Sequence, residues 1–207
     1  MNPFDEIDAQ SQTWKIQEDG IDIRYDGSFI DPDDATRLFE ALKNEIAWER
    51  HVINTPGGPK TVPRMISWHA DEGLTYSYSG LLHRWQGWTP ALADIRDRLI
   101  EKTGIRFNGV LANFYEDERD SVSPHADDET DMEENATIAS VSLGEVRDFV
   151  VKHIHTGQRH VMPLEHGSLL EMAGRTQHVA RHSIPKAKRP CGPRINLTFR
   201  QVVRSSV

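Results

Sequence analysis

The chain has 207 residues, 37% of them hydrophobic, which is enough for one globular domain with a full core. No stretch approaches the roughly 18 apolar residues of a membrane-spanning helix, and the first residues lack the basic and apolar regions of a signal peptide. The single cysteine, Cys191, excludes an internal disulfide and indicates a reducing compartment. We therefore expect no membrane partner and an intracellular protein, cytoplasmic in a bacterium or nuclear in a eukaryote.

The formal net charge of -8 argues against a binder of polyanions, because nucleic-acid affinity rests largely on phosphate neutralisation. The charges are unevenly distributed, however. Acidic residues concentrate in residues 117–120 and 127–134. Basic residues cluster late in the chain, at Arg175, Arg181, Lys186, Lys188, Arg189, Arg194, Arg200 and Arg204. The sequence is therefore compatible with a basic face on an acidic protein.

Two helices are predicted in the first half of the chain. Asp31-Pro32 precedes residues 35–46, in which apolar side chains recur four apart on one face. A second helical pattern starts at Thr89-Pro90, with proline at the first helical position, and ends at Gly104. We expect both helices to pack their apolar faces against a sheet.

From Phe107 onward the apolar pattern changes to a period of two. Short strands are predicted over residues 137–143, 149–154, 160–164, 168–172 and 194–203. A helical first half followed by short strands predicts a mainly β fold with flanking helices, either a β-sandwich or a jelly roll with the N-terminal helices packed on one sheet. Because there is no repeat or long linker, residues 1–207 are predicted to form a single domain.

His125-Ala126-Asp127 is a candidate metal-binding pair. In an extended segment, residues two apart point to the same side, so this imidazole and carboxylate can bind one ion. A second histidine would complete a set of two imidazoles and one carboxylate, which leaves three open positions on Fe(II) and is typical of non-haem oxygenases. Composition leaves two candidates for that ligand, His178 and His182. The pair alone is weak evidence, because 10 histidines and 32 acidic residues make a chance surface pair common.

The last predicted strand has one polar face and one apolar face. The apolar residues are Ile195, Leu197 and Phe199, and the polar ones are Arg194, Asn196, Thr198 and Arg200. Guanidinium groups pair bidentately with carboxylates and stay charged, so this polar face suits a bound dicarboxylate. An exposed cationic strand face is the alternative.

The segment Arg194-Ile195-Asn196-Leu197-Thr198-Phe199-Arg200 resembles the C-terminal signature of the AlkB family of Fe(II)/2-oxoglutarate-dependent nucleic-acid dealkylating dioxygenases. Val62-Pro63-Arg64 and the Gly-Leu-Thr-Tyr-Ser-Tyr-Ser-Gly run at residues 73–80 are further landmarks, closest to the DNA-repair branch. The spacing from His182 to Arg194 matches the family, and His182-Ser183-Ile184-Pro185 resembles its His-Ser-hydrophobic-Pro motif. The resemblance covers about residues 62–203, and the first sixty residues carry little of it.

This resemblance implies a double-stranded β-helix over residues 105–203, preceded by an N-terminal extension and nucleic-acid-facing region over residues 1–60. It implies that His125, Asp127 and His182 bind catalytic Fe(II). Arg194 would meet the C5 carboxylate of 2-oxoglutarate, and four other residues would line the cosubstrate site: Asn113, Tyr115, Asn196 and Arg200.

The resemblance also implies a reaction, the oxidative dealkylation of bases such as 1-methyladenine and 3-methylcytosine. The reaction would consume O2 and 2-oxoglutarate and release formaldehyde, succinate and CO2. A duplex base must be flipped out to reach a buried iron. Tyr76 and Tyr78 lie where the family places aromatic base-contacting residues, and Glu129 matches an acidic position that would favour a cationic lesion. Ordinary aromatic packing and a solvated acid are the alternatives for these three residues.

One feature departs from the family pattern. Duplex-repairing members insert an apolar wedge just before Val-Pro-Arg, whereas residues 54–60 here contain no aromatic residue, Leu, Ile or Met. Duplex DNA, single-stranded DNA and RNA therefore all stay open as partners. A 2-oxoglutarate oxygenase of protein side chains or small molecules is an alternative function, and an inactive jelly-roll binding module is a third. We expect a monomer.

Overall fold

The computed structural model describes residues 12–55, 58–78, 81–128, 132–133 and 135–203. The helices are α1 (Pro32–Glu45), α2 (Pro90–Thr103) and α3 (Thr176–Val179). The strands are β1 (Thr13–Glu18), β2 (Ile21–Asp26), β3 (Val52–Thr55), β4 (Gly58–Thr61), β5 (Met65–Ala70), β6 (Thr75–Tyr78), β7 (Leu81–Arg84), β8 (Gly109–Tyr115), β9 (Val122–His125), β10 (Ile138–Gly144), β11 (Arg147–His153), β12 (Arg159–Leu164), β13 (Ser168–Ala173), β14 (Ala180–Ile184) and β15 (Arg194–Arg200). None of the described helices is long and apolar enough to cross a membrane.

Two antiparallel sheets form the body of the protein. The larger has seven strands in the order β1-β2-β13-β10-β15-β8-β5, and the smaller has four in the order β12-β11-β14-β9. The hairpins β3–β4 and β6–β7 are separate two-stranded sheets. This arrangement confirms the predicted mainly β jelly roll with flanking helices.

Both predicted long helices are confirmed, and the local signals that predicted them are visible in their caps. The carboxylate of Asp31 accepts a hydrogen bond from the backbone N–H of Asp33 at 3.0 Å. Thr89 caps α2 by accepting from the N–H of Leu92 at 3.3 Å. Gly104 ends α2 with a φ of 73°, in the left-handed region that favours glycine.

The two main layers of the core lie on opposite faces of the larger sheet, to which β15 belongs. One layer packs α1 and α2 against the larger sheet and includes Leu38, Ile95 and Leu197. The other lies between the two sheets and includes Leu170 and Phe149. The alternation along β15 turns its apolar side chains toward the helices, so its polar side chains enter the space between the sheets.

The expectation of a helical first half is wrong, because seven strands precede α2. β1 and β2 form a hairpin that joins the larger sheet through β13, with Tyr25 opposite Leu170. The turn is Asp19-Gly20, both at positive φ (47° and 87°). Asp-Gly between alternating apolar residues is a strong hairpin signal, so this hairpin is predictable from the sequence. The last strand also ends at Arg200, three residues earlier than predicted.

Candidate metal and cosubstrate site

Three of the predicted ligands converge between the sheets. His125 ends β9 and lies opposite His182 on the neighbouring strand β14. Asp127 follows two residues later, and the ligand atoms of the three side chains all lie within 4.8 Å of one another. His182 Nε2 is 3.6 Å from Asp127 Oδ2, and His125 Nε2 is 3.9 Å from Asp127 Oδ1. The other candidate, His178, is exposed on α3 and does not belong to this cluster.

Neighbouring groups orient each of these side chains. The Nδ1 of His125 lies 2.9 Å from the carbonyl oxygen of Ser123, so Nδ1 donates and Nε2 is left for a metal. Phe149 stacks on the His182 ring with centroids 5.4 Å apart. Asp127 Oδ1 accepts from Arg200 Nη2 at 2.7 Å. With His125 Nε2 left as an acceptor and the Asp127 carboxylate held in place, the two side chains can bind a divalent ion such as Fe(II).

Burial and charge keep this cluster in its metal-binding protonation state. Burial alone would raise the pKa of Asp127, but Arg200 and the two imidazoles outweigh it and hold the pKa well below its usual range. Burial, with a smaller contribution from His125, lowers the pKa of His182 to about 3 despite the nearby Asp127. At neutral pH the site therefore offers an ionised carboxylate and a neutral imidazole, which are the forms that bind metal.

We expect the metal-free protein to lose stability steadily as the pH falls from about 6.5 toward 3. His182 stays neutral in the folded state over this range, whereas in the unfolded state it takes up a proton, so acid favours unfolding by up to about 1.4 kcal/mol per pH unit. The stabilisation from ionised Asp127 is lost only below about pH 4, as the pH falls toward its depressed folded pKa.

Urea unfolding in a chelator at several pH values measures this dependence. Between pH 6 and 4, the free energy of unfolding of His182→Leu should fall less steeply with decreasing pH than that of wild type. The exposed His178→Gln should keep the wild-type slope and serves as the control. Identical slopes in wild type and His182→Leu would contradict the assignment of a buried neutral imidazole.

A single cavity between the sheets connects this cluster to the predicted cosubstrate residues. Its walls include His125, Asp127 and His182, together with all five residues predicted to contact 2-oxoglutarate: Asn113, Tyr115, Arg194, Asn196 and Arg200. Apolar side chains complete the wall, among them Leu111, Leu164 and Met172. The residues of the predicted metal site and of the predicted dicarboxylate site therefore line the same cavity.

Arg194 is a buried cation with hydrogen-bonding capacity to spare. It is 0% exposed, and no described carboxylate forms an ion pair with it. Its Nη2 donates to Ser142 Oγ at 2.9 Å, while Nε and Nη1 are buried without a hydrogen-bond partner among the described residues. Burial lowers the pKa of Arg194 to about 10, with the Tyr115 hydroxyl opposing the shift. A buried guanidinium with unused donors fits the far carboxylate of 2-oxoglutarate.

Residues of β10, and Arg64 just before β5, hold these side chains in place, and the sequence patterns predicted no role for them. Asn196 Nδ2 donates to Ser140 Oγ at 2.8 Å and to the carbonyl oxygen of Val141 at 3.2 Å, so both of its amide donors are used within the protein. Asn113 Oδ1 accepts from Arg64 Nε at 2.6 Å, and Arg64 also lines the cavity. The alternation of β10 placed Ser140 and Ser142 on one face, but only the strand register shows that this face meets β15.

The predicted base-contacting residues stay predictions. The backbone of Tyr76 and Tyr78 lies in β6, opposite His83 and Leu81 of β7, which confirms an extended segment there. Their side chains and Glu129 lie outside the described residues, as do residues 56–57 at the tip of the predicted wedge region.

Comparison with known proteins identifies the family. The model of the 2OG-Fe(II) oxygenase superfamily matches residues 22–200. DNA oxidative demethylase ALKBH2 of Bos taurus is 35% identical, with 97% of this chain aligned to 76% of that protein. The human ALKBH2 is 37% identical over 92% of this chain and 77% of its own length. The chain belongs to the AlkB family.

Two further comparisons are consistent with this assignment to the AlkB family. Human alkB homolog 3 is 34% identical over 84% of the chain and 64% of its own length. The solved structure of OsALKBH1 superposes with a TM-score of 0.64 at 16% identity, covering 86% of this chain and 97% of that one, and supports the fold. The family match starts at residue 22, so the expectation that the first sixty residues carry little resemblance is wrong.

Membership in this superfamily confirms Fe(II) and 2-oxoglutarate as the metal and cosubstrate. The residues present fit both groups: His125, Asp127 and His182 supply the ligand types of an oxygenase iron, and Arg194 supplies unused buried donors for a carboxylate.

Proposed function

We propose that this AlkB-family protein repairs DNA by oxidative removal of alkyl groups from damaged bases, of the 1-methyladenine and 3-methylcytosine type. The observation that carries the proposal is the common chamber, whose walls include both a set of iron-ligand type and a buried arginine with unused donors. The relatives named DNA oxidative demethylase, aligned over 97% and 92% of this chain, support the choice of DNA.

Each part of the chamber would have a distinct task. His125, Asp127 and His182 would hold Fe(II), which supplies the oxidation of the alkyl carbon by O2, coupled to decarboxylation of 2-oxoglutarate to succinate and CO2. Arg194 would neutralise the far carboxylate of the cosubstrate. The apolar wall would exclude water around the reacting carbon. The oxidised methyl group then leaves as formaldehyde and the base regains its pairing edge.

A groove beside His125 supports a nucleic-acid substrate. It is lined by residues 60–64 and 121–125 and by Lys186, and it reaches the one ligand whose side chain is partly exposed (28% for His125). Lys60 and Lys186 are exposed, and neither forms an ion pair with a described residue. Two exposed lysines in the groove that reaches His125, neither with an ion-pair partner among the described residues, supply positive charge for phosphates on a protein with a net charge of -8.

We further propose a preference for single-stranded DNA and action as a monomer. The absence of a large apolar residue from positions 54–60 supports the first, because flipping a base out of a duplex needs a group to fill the gap. The second is supported by the small number of exposed large apolar side chains, which among the described residues are Val52, Trp85, Val146, Ile154 and Val203.

Formaldehyde release from 3-methylcytosine in single-stranded and duplex oligonucleotides tests the proposal, in the presence of Fe(II), ascorbate and 2-oxoglutarate. We expect release by wild type and by His178→Gln, faster on the single strand, and none by His182→Ala. Succinate formation without formaldehyde on any alkylated oligonucleotide would reject base repair in favour of a protein or small-molecule substrate. Absence of both products would reject the enzyme altogether in favour of a binding module.

A further inference from the structure

Gln177 is a buried polar residue that contacts the main chain of a proposed iron ligand. Its Oε1 accepts a hydrogen bond from the backbone N–H of Asp127 at 2.9 Å, and the residue is only 8% exposed. β9 ends at His125, so Asp127 lies beyond the strand ladder. The side-chain amide of Gln177 therefore supplies the partner that a neighbouring strand would otherwise provide.

The short helix that contains Gln177 is bonded to a neighbouring strand. Gln177 belongs to α3, where Thr176 Oγ1 accepts from the N–H of Asp22 on β2 at 2.9 Å. At the other end of its amide, Gln177 Nε2 donates to Met172 Sδ at 3.4 Å. With both ends of the amide engaged, the side chain has little freedom to turn away from Asp127.

Gln177 connects the two chain segments that bear the proposed ligands. α3 leads directly into β14, which carries His182 five residues after Gln177. The carboxylate of Asp127 is restrained separately, because Arg200 Nη2 donates to its Oδ1 at 2.7 Å. One contact fixes the main chain and the other fixes one oxygen, so Asp127 Oδ2 is left 3.6 Å from His182 Nε2.

We propose that Gln177 is a positioning residue for the metal. Its carbonyl oxygen holds the main chain of Asp127 so that the carboxylate reaches the ion together with the two histidines. Groups that orient metal ligands typically change metal affinity 10- to 100-fold when they are lost. The inference rests on the iron site of the proposed function but not on the identity of the oxidised substrate.

Metal binding to the purified metal-free protein tests this role without any turnover. Mn(II) affinity is measured by electron paramagnetic resonance, and ligand geometry by the visible absorption of bound Co(II). Gln177→Met replaces the carbonyl acceptor with a weakly accepting thioether at nearly equal length. We expect it to weaken Mn(II) binding by about 10-fold or more and to change the Co(II) spectrum. Gln177→Glu retains an acceptor oxygen and should recover most of the affinity. His178→Gln, on the same helix, is the control and should bind as wild type.

Equal Mn(II) affinity in wild type and folded Gln177→Met would overturn the proposal. Equal losses in Gln177→Met and Gln177→Glu would also overturn it, because the acceptor oxygen would then be irrelevant. Thermal unfolding of the metal-free variants checks that they are folded. If Gln177→Met does not fold, Gln177→Asn is measured instead, since its amide is one methylene too short to reach, and the same loss is expected. A failure to find base dealkylation would leave all of these measurements unaffected.

Discussion

Replacing Asp127 with asparagine is expected to abolish iron-dependent turnover and to destabilise the metal-free protein as well. Asparagine removes the negative charge that Fe(II) needs, so turnover should fall by more than the roughly 100-fold seen when only a supporting group is lost. It also leaves the guanidinium of Arg200, 1% exposed, without the carboxylate that accepts its hydrogen bond at 2.7 Å. Breaking a buried pair from one side typically destabilises by about 3–5 kcal/mol.

Asp128→Asn is the matched control for Asp127→Asn. The carboxylate of Asp128 is half-exposed, and its nearest cationic partner, Arg181, is 3.9 Å away. A screened pair of this kind contributes about 1 kcal/mol or less. Succinate formation and urea unfolding in a chelator separate the two variants. Wild-type metal binding by Asp127→Asn would exclude Asp127 as a ligand, and equal destabilisation by both variants would exclude a special role for the Arg200 contact.

The parts of the fold that could be predicted depend on local signals. α1 and α2 start at side chains that cap their own helix, Asp31 and Thr89, and α2 ends at a glycine that the left-handed conformation requires. These interactions span only a few residues, so they can be predicted from the local sequence. The β1–β2 hairpin carried an equally local signal in Asp19-Gly20 and could have been predicted. Its place beside β13 could not, because that pairing joins residues about 145 positions apart.

The candidate site likewise has residues that the sequence could predict and residues that it could not. Alternation alone indicated that Arg194 and Arg200 share a strand face, and the resemblance to the AlkB family selected His182 over His178. The residues that were missed all act through partners distant in the chain. Gln177 contacts the backbone of Asp127 from 50 positions away. Such contacts depend on strand register and loop path, which no periodicity in the sequence records.

Arg194→Met should weaken the binding of 2-oxoglutarate but stabilise the ligand-free protein. We expect the dissociation constant for 2-oxoglutarate to rise at least about 30-fold, because loss of one partner from a buried charge pair costs about 2 kcal/mol or more. We expect the ligand-free protein to become more stable, by about 1 kcal/mol. Arg194 is buried without an ion-pair partner among the described residues, and removing an uncompensated buried charge relieves its desolvation.

Arg147→Met provides the contrast to Arg194→Met, since Arg147 is also a buried arginine beside Tyr115 but its donors are used within the protein. Its Nη2 donates to the carbonyl oxygens of Asp120 and Pro185 at 2.8 and 2.7 Å. Losing these charge-assisted bonds should destabilise the ligand-free protein by about 2–3 kcal/mol. Calorimetric titration with 2-oxoglutarate and urea unfolding measure both variants. A destabilised Arg194→Met with unchanged 2-oxoglutarate affinity would mean that this arginine serves the fold, whereas the expected opposite signs would mean that its free donors are kept for the cosubstrate at the expense of stability.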